Sequence, residues 1–216
     1  MSRRRVPPSA PPARWTRGER ALLRRLSTPM RIQEWLDRLP YRSEDRAASP
    51  RNVMEERRAH CYDGALFAAA ALRQLGHPPL LLDMRAVRDD DHVLAVFRVG
   101  GCFGAIAKSN FVGLRFREPI HRTLRELVVS YFEDYFNAGG EKTLRAFSGL
   151  LHLRQFDRFG WMFKDDHLQA ISDRLDALEH HRLLTRRMER DLHRVDPRSL
   201  RAGMLGTVKA GLYKGG

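Results

Sequence analysis

Cysteine is scarce in this chain of 216 residues, which has only Cys61 and Cys102. Two cysteines exclude a disulfide framework, and without a CxxC pair they cannot supply a zinc site alone. Long apolar runs are also missing, since the longest one, Ala65 to Leu72, is far too short to span a membrane. No apolar signal core follows the basic residues near the start. We therefore expect a soluble cytoplasmic protein with reduced thiols.

Motifs for cofactors and metal ions are missing as well. Neither Gly100-Gly101 nor Gly139-Gly140 continues into a phosphate-binding GK[ST] or GxGxxG pattern. His167 lacks the HExxH spacing that would place two ligands on one helix face. The acidic run Asp89-Asp90-Asp91 ahead of His92 is more typical of a solvated turn than of a metal site. The sequence therefore predicts no cofactor and no metal.

Positive charge is abundant, with a formal net charge of +13 and a sequence pI of about 10.7. Such an excess favours contact with polyanions, including nucleic acid, acidic membrane surfaces and acidic proteins. A basic surface also occurs without any polyanion partner, because net charge does not determine fold. No helix-turn-helix, zinc-finger or RNP signature accompanies the charge. The charge is therefore the one feature of the sequence that supports a nucleic-acid-binding protein. The basic surface would therefore permit weak binding of a polyanion.

Hydrophobic periodicity predicts an α+β fold. The segment from Ala65 to Leu75 is Ala-rich and apolar on nearly every side, which indicates a buried helix that Gly76 ends. Three strands are predicted after it, at residues 80–86, 92–99 and 102–107. Gly100-Gly101 joins the second and third strands as a two-residue hairpin turn. This order predicts an antiparallel sheet with the Cys-bearing helix packed on it.

Composition divides the chain into four segments. Residues 1–18 are basic and Pro-rich, which predicts a flexible arm, and residues 19–140 hold the α+β domain. Residues 141–195 are predicted to form a helical extension, with a long helical pattern from Asp165 to about Leu192 and a candidate break near His180-His181. Residues 196–216 are basic and contain glycine, which predicts a flexible tail.

Cys61 lies one step before the predicted buried helix. The unpaired N–H groups and the positive dipole end of a helix start favour a thiolate, and they can stabilise the oxyanion formed when that thiolate attacks a carbonyl. Such a nucleophile also needs a base. His92, at the head of a strand, is the candidate; His60 is closer in sequence, but adjacent side chains point in different directions. The competing interpretation is that Cys61 is an inert core residue.

Four short segments, in this order, resemble the transglutaminase-like superfamily, whose core is papain-like. They are Arg58-Ala59-His60-Cys61-Tyr62-Asp63-Gly64-Ala65, Leu75-Gly76-His77-Pro78-Pro79-Leu80, Asp91-His92-Val93 and Gly100-Gly101-Cys102-Phe103-Gly104-Ala105-Ile106. The resemblance extends over roughly residues 25 to 120. It implies that residues 19–140 are a transglutaminase-like domain with Cys61 as nucleophile and His92 as base.

The resemblance also implies a third residue, an Asp or Asn that orients the imidazole. By register this position falls near Ala107, which cannot play that role. Ser109 and Asn110 are the nearest polar residues, and papain-like enzymes use Asn here, so Asn110 is the predicted orienting residue. Asp91, beside His92, is the alternative.

These residues predict a cysteine-dependent hydrolase or acyltransferase that acts on an amide, peptide or thioester carbonyl through an acyl-enzyme. Its catalytic residues would be Cys61, His92 and Asn110, and its partner an unknown protein, peptide or small amide or thioester substrate. The Ala at the expected Asp position favours an alternative on the same fold, a catalytically impaired binding module for a protein or polyanion.

Overall fold

The computed structural model describes residues 14–44 and 46–214, and within them the chain forms eight α-helices and seven β-strands. This is an α+β architecture. The helices are α1 Arg17–Arg25, α2 Pro29–Asp37, α3 Pro50–Glu56, α4 Cys61–Gln74, α5 Leu124–Val129, α6 Leu168–Asp176, α7 Arg186–Arg190 and α8 Pro197–Gly203. The strands are β1 Leu80–Ala86, β2 His92–Val99, β3 Cys102–Ile106, β4 Arg117–His121, β5 Leu144–Ser148, β6 Leu151–His152 and β7 His180–Arg182.

The described strands form one antiparallel sheet in the order β4-β3-β2-β1-β5-β7, and β6 also pairs with β1. The predicted bounds of β1 and β2 are confirmed, and β3 ends at Ile106, one residue earlier than expected. Gly100 and Gly101, with φ of 58° and 84°, form the turn between β2 and β3. Positive φ at both central residues is the requirement of the hairpin turn that the sequence predicted.

Strand β2 is buried on both of its faces. Val93, Ala95 and Phe97 belong to a core that includes α4, whereas Leu94 and Val96 belong to a second core that includes α5. Alternate side chains of a strand point to opposite faces, so one strand contributes to both cores. The continuous apolar run of β2 in the sequence therefore indicates its central position in the sheet.

Helix α4 is the buried helix that the sequence predicted, and it packs on β2. It begins at Cys61, with His60 as its N-cap. Its C-terminal end is followed by Gly76, whose φ of 87° is the left-handed conformation favoured for glycine after a helix. The start of the helix lies beside the start of β2, since Cys61 Sγ is 3.9 Å from the carbonyl of Asp91.

The expected long helix from Asp165 to Leu192 is wrong, and strand β7 lies where a break in it was predicted, at His180-His181. Helix α6 ends at Asp176, and β7 then pairs with β5 before α7 begins. Strands β5, β6 and β7 all lie in the segment predicted as a helical extension, and they continue the same sheet. The pairing partners of β7 are distant in sequence, so periodicity within one window did not reveal them.

The structure also differs from the predictions for the two ends of the chain. Trp15 is buried and α1 begins at Arg17, inside the predicted arm, whereas residues 1–13 of that arm lie outside the described residues. In the predicted tail, α8 is followed by a 3₁₀ turn at Lys209–Gly211, and the segment hydrogen-bonds the loop after β3. Across residues 14–44 and 46–214, no helix combines the length and apolarity needed to cross a membrane.

Candidate active site

Cys61 and His92 line one small cavity of about 40 Å³, where the start of α4 meets the start of β2. Asn110, Tyr41 and Gly211 line it too. A volume of this size holds only a few water molecules. The structure therefore brings all three predicted site residues to the same cavity, and it adds the C-terminal segment as a wall that the sequence did not predict.

The Cys61 thiol is half-buried, and its Sγ lies 3.9 Å from the backbone carbonyl of Asp91. Burial raises the pKa of this thiol to about 12, and the charges of Asp63 and Asp90 raise it further. The nearby backbone N–H groups of Val93 and Tyr62 lower the pKa, but they do not offset burial. Cys61 is therefore a neutral thiol at pH 7 in this cavity, which differs from the lowered pKa expected of a helix start.

His92 is buried, and its Nε2 lies 2.9 Å from the backbone carbonyl of Leu114. A carbonyl can only accept a hydrogen bond, so Nε2 carries the proton and Nδ1 of the neutral ring keeps a lone pair. Burial lowers the pKa of His92 to about 4; the Leu114 bond opposes this shift and the charge of Arg117 adds to it. His92 is thus a neutral ring at pH 7 with one nitrogen able to accept a proton.

Asn110 does not orient His92. Its Nδ2 donates to the carbonyls of Val208 and Gly211, at 3.0 and 3.1 Å, and its Oδ1 accepts the N–H of Val208 at 2.8 Å. The amide therefore fastens the C-terminal segment across the cavity. The carbonyl of Leu114 holds the imidazole instead, and a backbone group of this kind leaves no residue-type signal in a sequence.

The other candidates for the orienting role are engaged elsewhere. Ala107 is buried, and its backbone N–H and carbonyl both bond the side-chain amide of Gln33. Ser109 Oγ accepts the N–H of Phe111, and Asp91 Oδ1 accepts the N–H of Ala86. Each of these groups stabilises a local turn or strand end.

His60 caps α4 and is not placed as a base. Its Nδ1 accepts the N–H of Tyr62 at 3.1 Å, so Nε2 carries the proton and points to the carbonyl of Arg46 at 3.2 Å. Asp63 completes the capping box from the third position of the helix. With both nitrogens in use, His60 helps to fix the backbone at Cys61.

A buried ion pair anchors the same helix start. Arg42 Nε lies 2.9 Å from Asp63 Oδ2, and both side chains are fully buried. Asp63 Oδ1 accepts the N–H of Ala48 at 2.7 Å, and Arg42 also binds Glu56 at 2.8 Å. Buried charges of this kind are retained only when they are paired and hydrogen-bonded. This pair was missed from the sequence, where only the capping-box position of Asp63 hints at it.

Acidic residues of the β1–β2 turn form another wall of the cavity. Asp89, Asp90 and Asp91 all line it, and burial raises the pKa of each carboxyl. Asp89 Oδ2 accepts the hydroxyl of Thr143 at 2.7 Å. Within the described part of the chain, no group of three or more His, Cys, Asp or Glu side chains is arranged to hold a metal ion.

No protein-family model matches this chain, and a search of curated proteins gives no match either. What the site does is therefore inferred from its own residues and their geometry.

Proposed function

We propose that this protein is a cysteine-dependent hydrolase or acyltransferase, with Cys61 as nucleophile and His92 as general base. Its substrate would be an amide, peptide or thioester, and its fold would be a papain-like, transglutaminase-like variant. The observation that carries the proposal is the shared cavity of Cys61, at the start of α4, and a buried His92 whose Nε2 is held by the Leu114 carbonyl.

The tautomer of His92 suits the first chemical step. As Cys61 Sγ forms its bond to the substrate carbonyl carbon, Nδ1 takes the thiol proton, and the imidazolium then protonates the leaving amine or thiol. Water or an amine next attacks the acyl-enzyme, gives its proton to Nδ1 and releases Cys61 as a thiol. The N–H of Tyr62 is already donated to His60 Nδ1, so at the start of α4 the backbone N–H of Cys61 would be the oxyanion donor.

The starting state of this mechanism is a neutral pair. The pKa of Cys61 is raised to about 12 and that of His92 is lowered to about 4, both mainly by burial. A preformed thiolate–imidazolium pair is therefore not favoured at pH 7, and proton transfer accompanies attack on the carbonyl. The cavity also has to widen before a substrate enters, since its volume is about 40 Å³.

A second function, a binding module without catalysis, is favoured by the same two shifts. Burial that keeps the thiol protonated weakens a nucleophile, and the backbone carbonyl of Leu114 lacks the charge of the Asp that the resemblance implies. In this alternative the cavity has no catalytic role, and the surface outside it binds a protein or polyanion partner.

Acyl-enzyme trapping separates the two functions. We expect phenyl thioacetate to place an acetyl group on Cys61 and release thiophenol, as detected by intact mass and peptide mapping. The Cys102→Ser variant should behave as the wild type, Cys61→Ser should lose the adduct, and His92→Gln should slow it by about 10²–10⁴-fold. Equal acetylation of Cys61 and Cys102, or a rate that ignores His92, would rule out the enzyme and leave the binding module.

A further inference from the structure

A hollow of about 480 Å³ lies on the far side of the β1–β2 turn and shares no lining residue with the Cys61 cavity. Its lining is dominated by guanidinium groups, with a single carboxylate among them. The arginines are Arg88, Arg145, Arg182, Arg186 and Arg190, and the carboxylate is Glu189. They come from the β1–β2 turn, β5, β7 and α7, so the fold itself gathers them. We call this site the arginine hollow.

Positive charge in the arginine hollow is only partly neutralised. Arg88 pairs with Glu141, and Arg182 lies 2.6 Å from Glu189. Within the described residues, none of the other three arginines has a carboxylate within 4.0 Å; these are Arg145, Arg186 and Arg190. Like charges gathered in a concave site raise the local concentration of anions, because the low-dielectric walls focus their field.

Arg145 is the least exposed of the five arginines that line the hollow. It is half-buried, and its Nη1 donates to the carbonyls of Lys142 and Leu144, both at 2.9 Å. Burial lowers the pKa of this guanidinium; the charges of Glu189 and Glu141 oppose the shift, and the charge of Arg88 adds to it. A guanidinium held in place without a bonded carboxylate leaves its remaining N–H donors available to an anion.

The hollow's composition indicates which anion fits. A guanidinium presents planar paired donors that match phosphate oxygens, and the three guanidinium groups without a carboxylate partner among the described residues supply more donors than one carboxylate uses. No aromatic side chain is among the residues that line the hollow, so it offers no platform on which a nucleic-acid base could stack. These features favour a compact group of neighbouring phosphates over single-stranded nucleic acid.

We propose that the arginine hollow is a binding site for a compact anion with two or more adjacent phosphate groups. Arg145 provides the fixed donor, Arg186 and Arg190 provide unpaired charge from α7, and Arg88 and Arg182 border the site. This site is separate from the Cys61 cavity, and its occupancy does not depend on any reaction there.

Calorimetric titration with tripolyphosphate at about 0.15 M salt tests the proposal, using the full chain. The double variant Arg186→Gln/Arg190→Gln removes two exposed positive charges from the arginine hollow. The control variant Arg24→Gln/Arg31→Gln removes the same amount of charge from an exposed surface elsewhere. We expect binding to the wild type, at least tenfold weaker binding to the first variant, and a change of less than twofold in the matched control. Vesicles that carry a polyphosphorylated lipid headgroup, tested in the same way, distinguish a membrane-borne ligand from a free one.

Three outcomes overturn the proposal. The first is no binding of tripolyphosphate or of the vesicles by the wild type. The second is equally weakened binding of tripolyphosphate in both double variants. That result would mean that the anion binds through the charge of the whole surface and not at the arginine hollow. The third is binding of a single-stranded oligonucleotide that depends on Arg186 and Arg190 when tripolyphosphate does not bind.

Discussion

At the residue scale, one physical effect acts on Cys61 and His92 in opposite directions. Burial disfavours the charged form of each group, so it raises the pKa of the thiol to about 12 and lowers the pKa of the imidazole to about 4. The sequence located both residues, but it could not reveal their environment. A helix start alone predicts a lowered thiol pKa; the surrounding protein determines which effect is larger.

The pH dependence of alkylation reports this environment directly. In the Cys102→Ser variant, we expect the iodoacetamide labelling rate of Cys61 to keep rising above about pH 10, where an ordinary thiol of pKa about 8.5 has reached its plateau. The reason is that a raised pKa leaves less thiolate at each lower pH. A small free thiol serves as the reference. A plateau for Cys61 below pH 8 would contradict the neutral pair and indicate a thiolate stabilised by His92.

The buried ion pair of Arg42 and Asp63 should contribute far more to the free energy of unfolding than an exposed ion pair does. Replacing Arg42 by Leu leaves the Asp63 carboxylate buried without its guanidinium, which costs about 3–5 kcal/mol of unfolding free energy. Arg58→Leu breaks an exposed pair with Glu44 and should cost less than about 1 kcal/mol. Urea unfolding of the two variants measures both values. Similar losses would mean that Arg42 does not stabilise the start of α4.

At the element scale, the C-terminal segment after α8 lies across the candidate site. Asn110 holds it through three hydrogen bonds to Val208 and Gly211, and Gly211 itself lines the cavity. A side chain at Gly211 would meet the ring of Tyr41, since an added Cβ would lie 2.8 Å from Tyr41 Cε1. The close approach of this segment to Tyr41 therefore requires a glycine at position 211.

Release of the C-terminal segment should open the cavity. We expect Asn110→Ala to raise the alkylation rate of Cys61 at pH 7 by about tenfold. The variant loses three hydrogen bonds, each worth roughly 1 kcal/mol, and we expect only part of this free energy to hold the segment over the cavity. Asn52→Ala, which loses a bond to Asp165 away from the cavity, is the control. A fall in rate with Asn110→Ala would instead support the orienting role that the sequence predicted.

Local and non-local signals explain which elements the sequence could predict. Helix α4 and the hairpin of β2 and β3 carry their information within short windows, as apolar periodicity and a Gly100-Gly101 turn. Strand β7 depends on pairing with β5, and the hold on His92 depends on the carbonyl of Leu114. The residue types near β7 and near His92 indicate neither contact, so the α+β class could be predicted from the sequence and these contacts could not.

At the scale of the whole molecule, one sheet joins the two halves of the chain. Strand β1 lies between β2 and β5, and β6 pairs with it as well. The boundary predicted at residue 140 therefore falls between strands of the same sheet. Both cores also draw on residues from either side of that boundary, including Leu151 in one and Leu183 in the other.

A fragment of residues 1–140 tests whether the first half folds alone. We expect it to aggregate and to lack a cooperative thermal transition, because β1 would present an unpaired apolar edge. The full chain, under the same conditions, should elute as one species with a single sharp transition. A monomeric fragment that melts cooperatively would support an independent domain at residues 19–140.

The place of β1 in the sheet has a consequence for the protein's synthesis. Its β2 side can be paired as soon as the hairpin leaves the ribosome, but its other side waits for β5, which begins at Leu144. At about 5–20 residues per second, making residues 87–143 takes roughly 3–11 s. During that interval the nascent chain carries an open apolar strand, so this stretch of translation is when the protein most needs a chaperone.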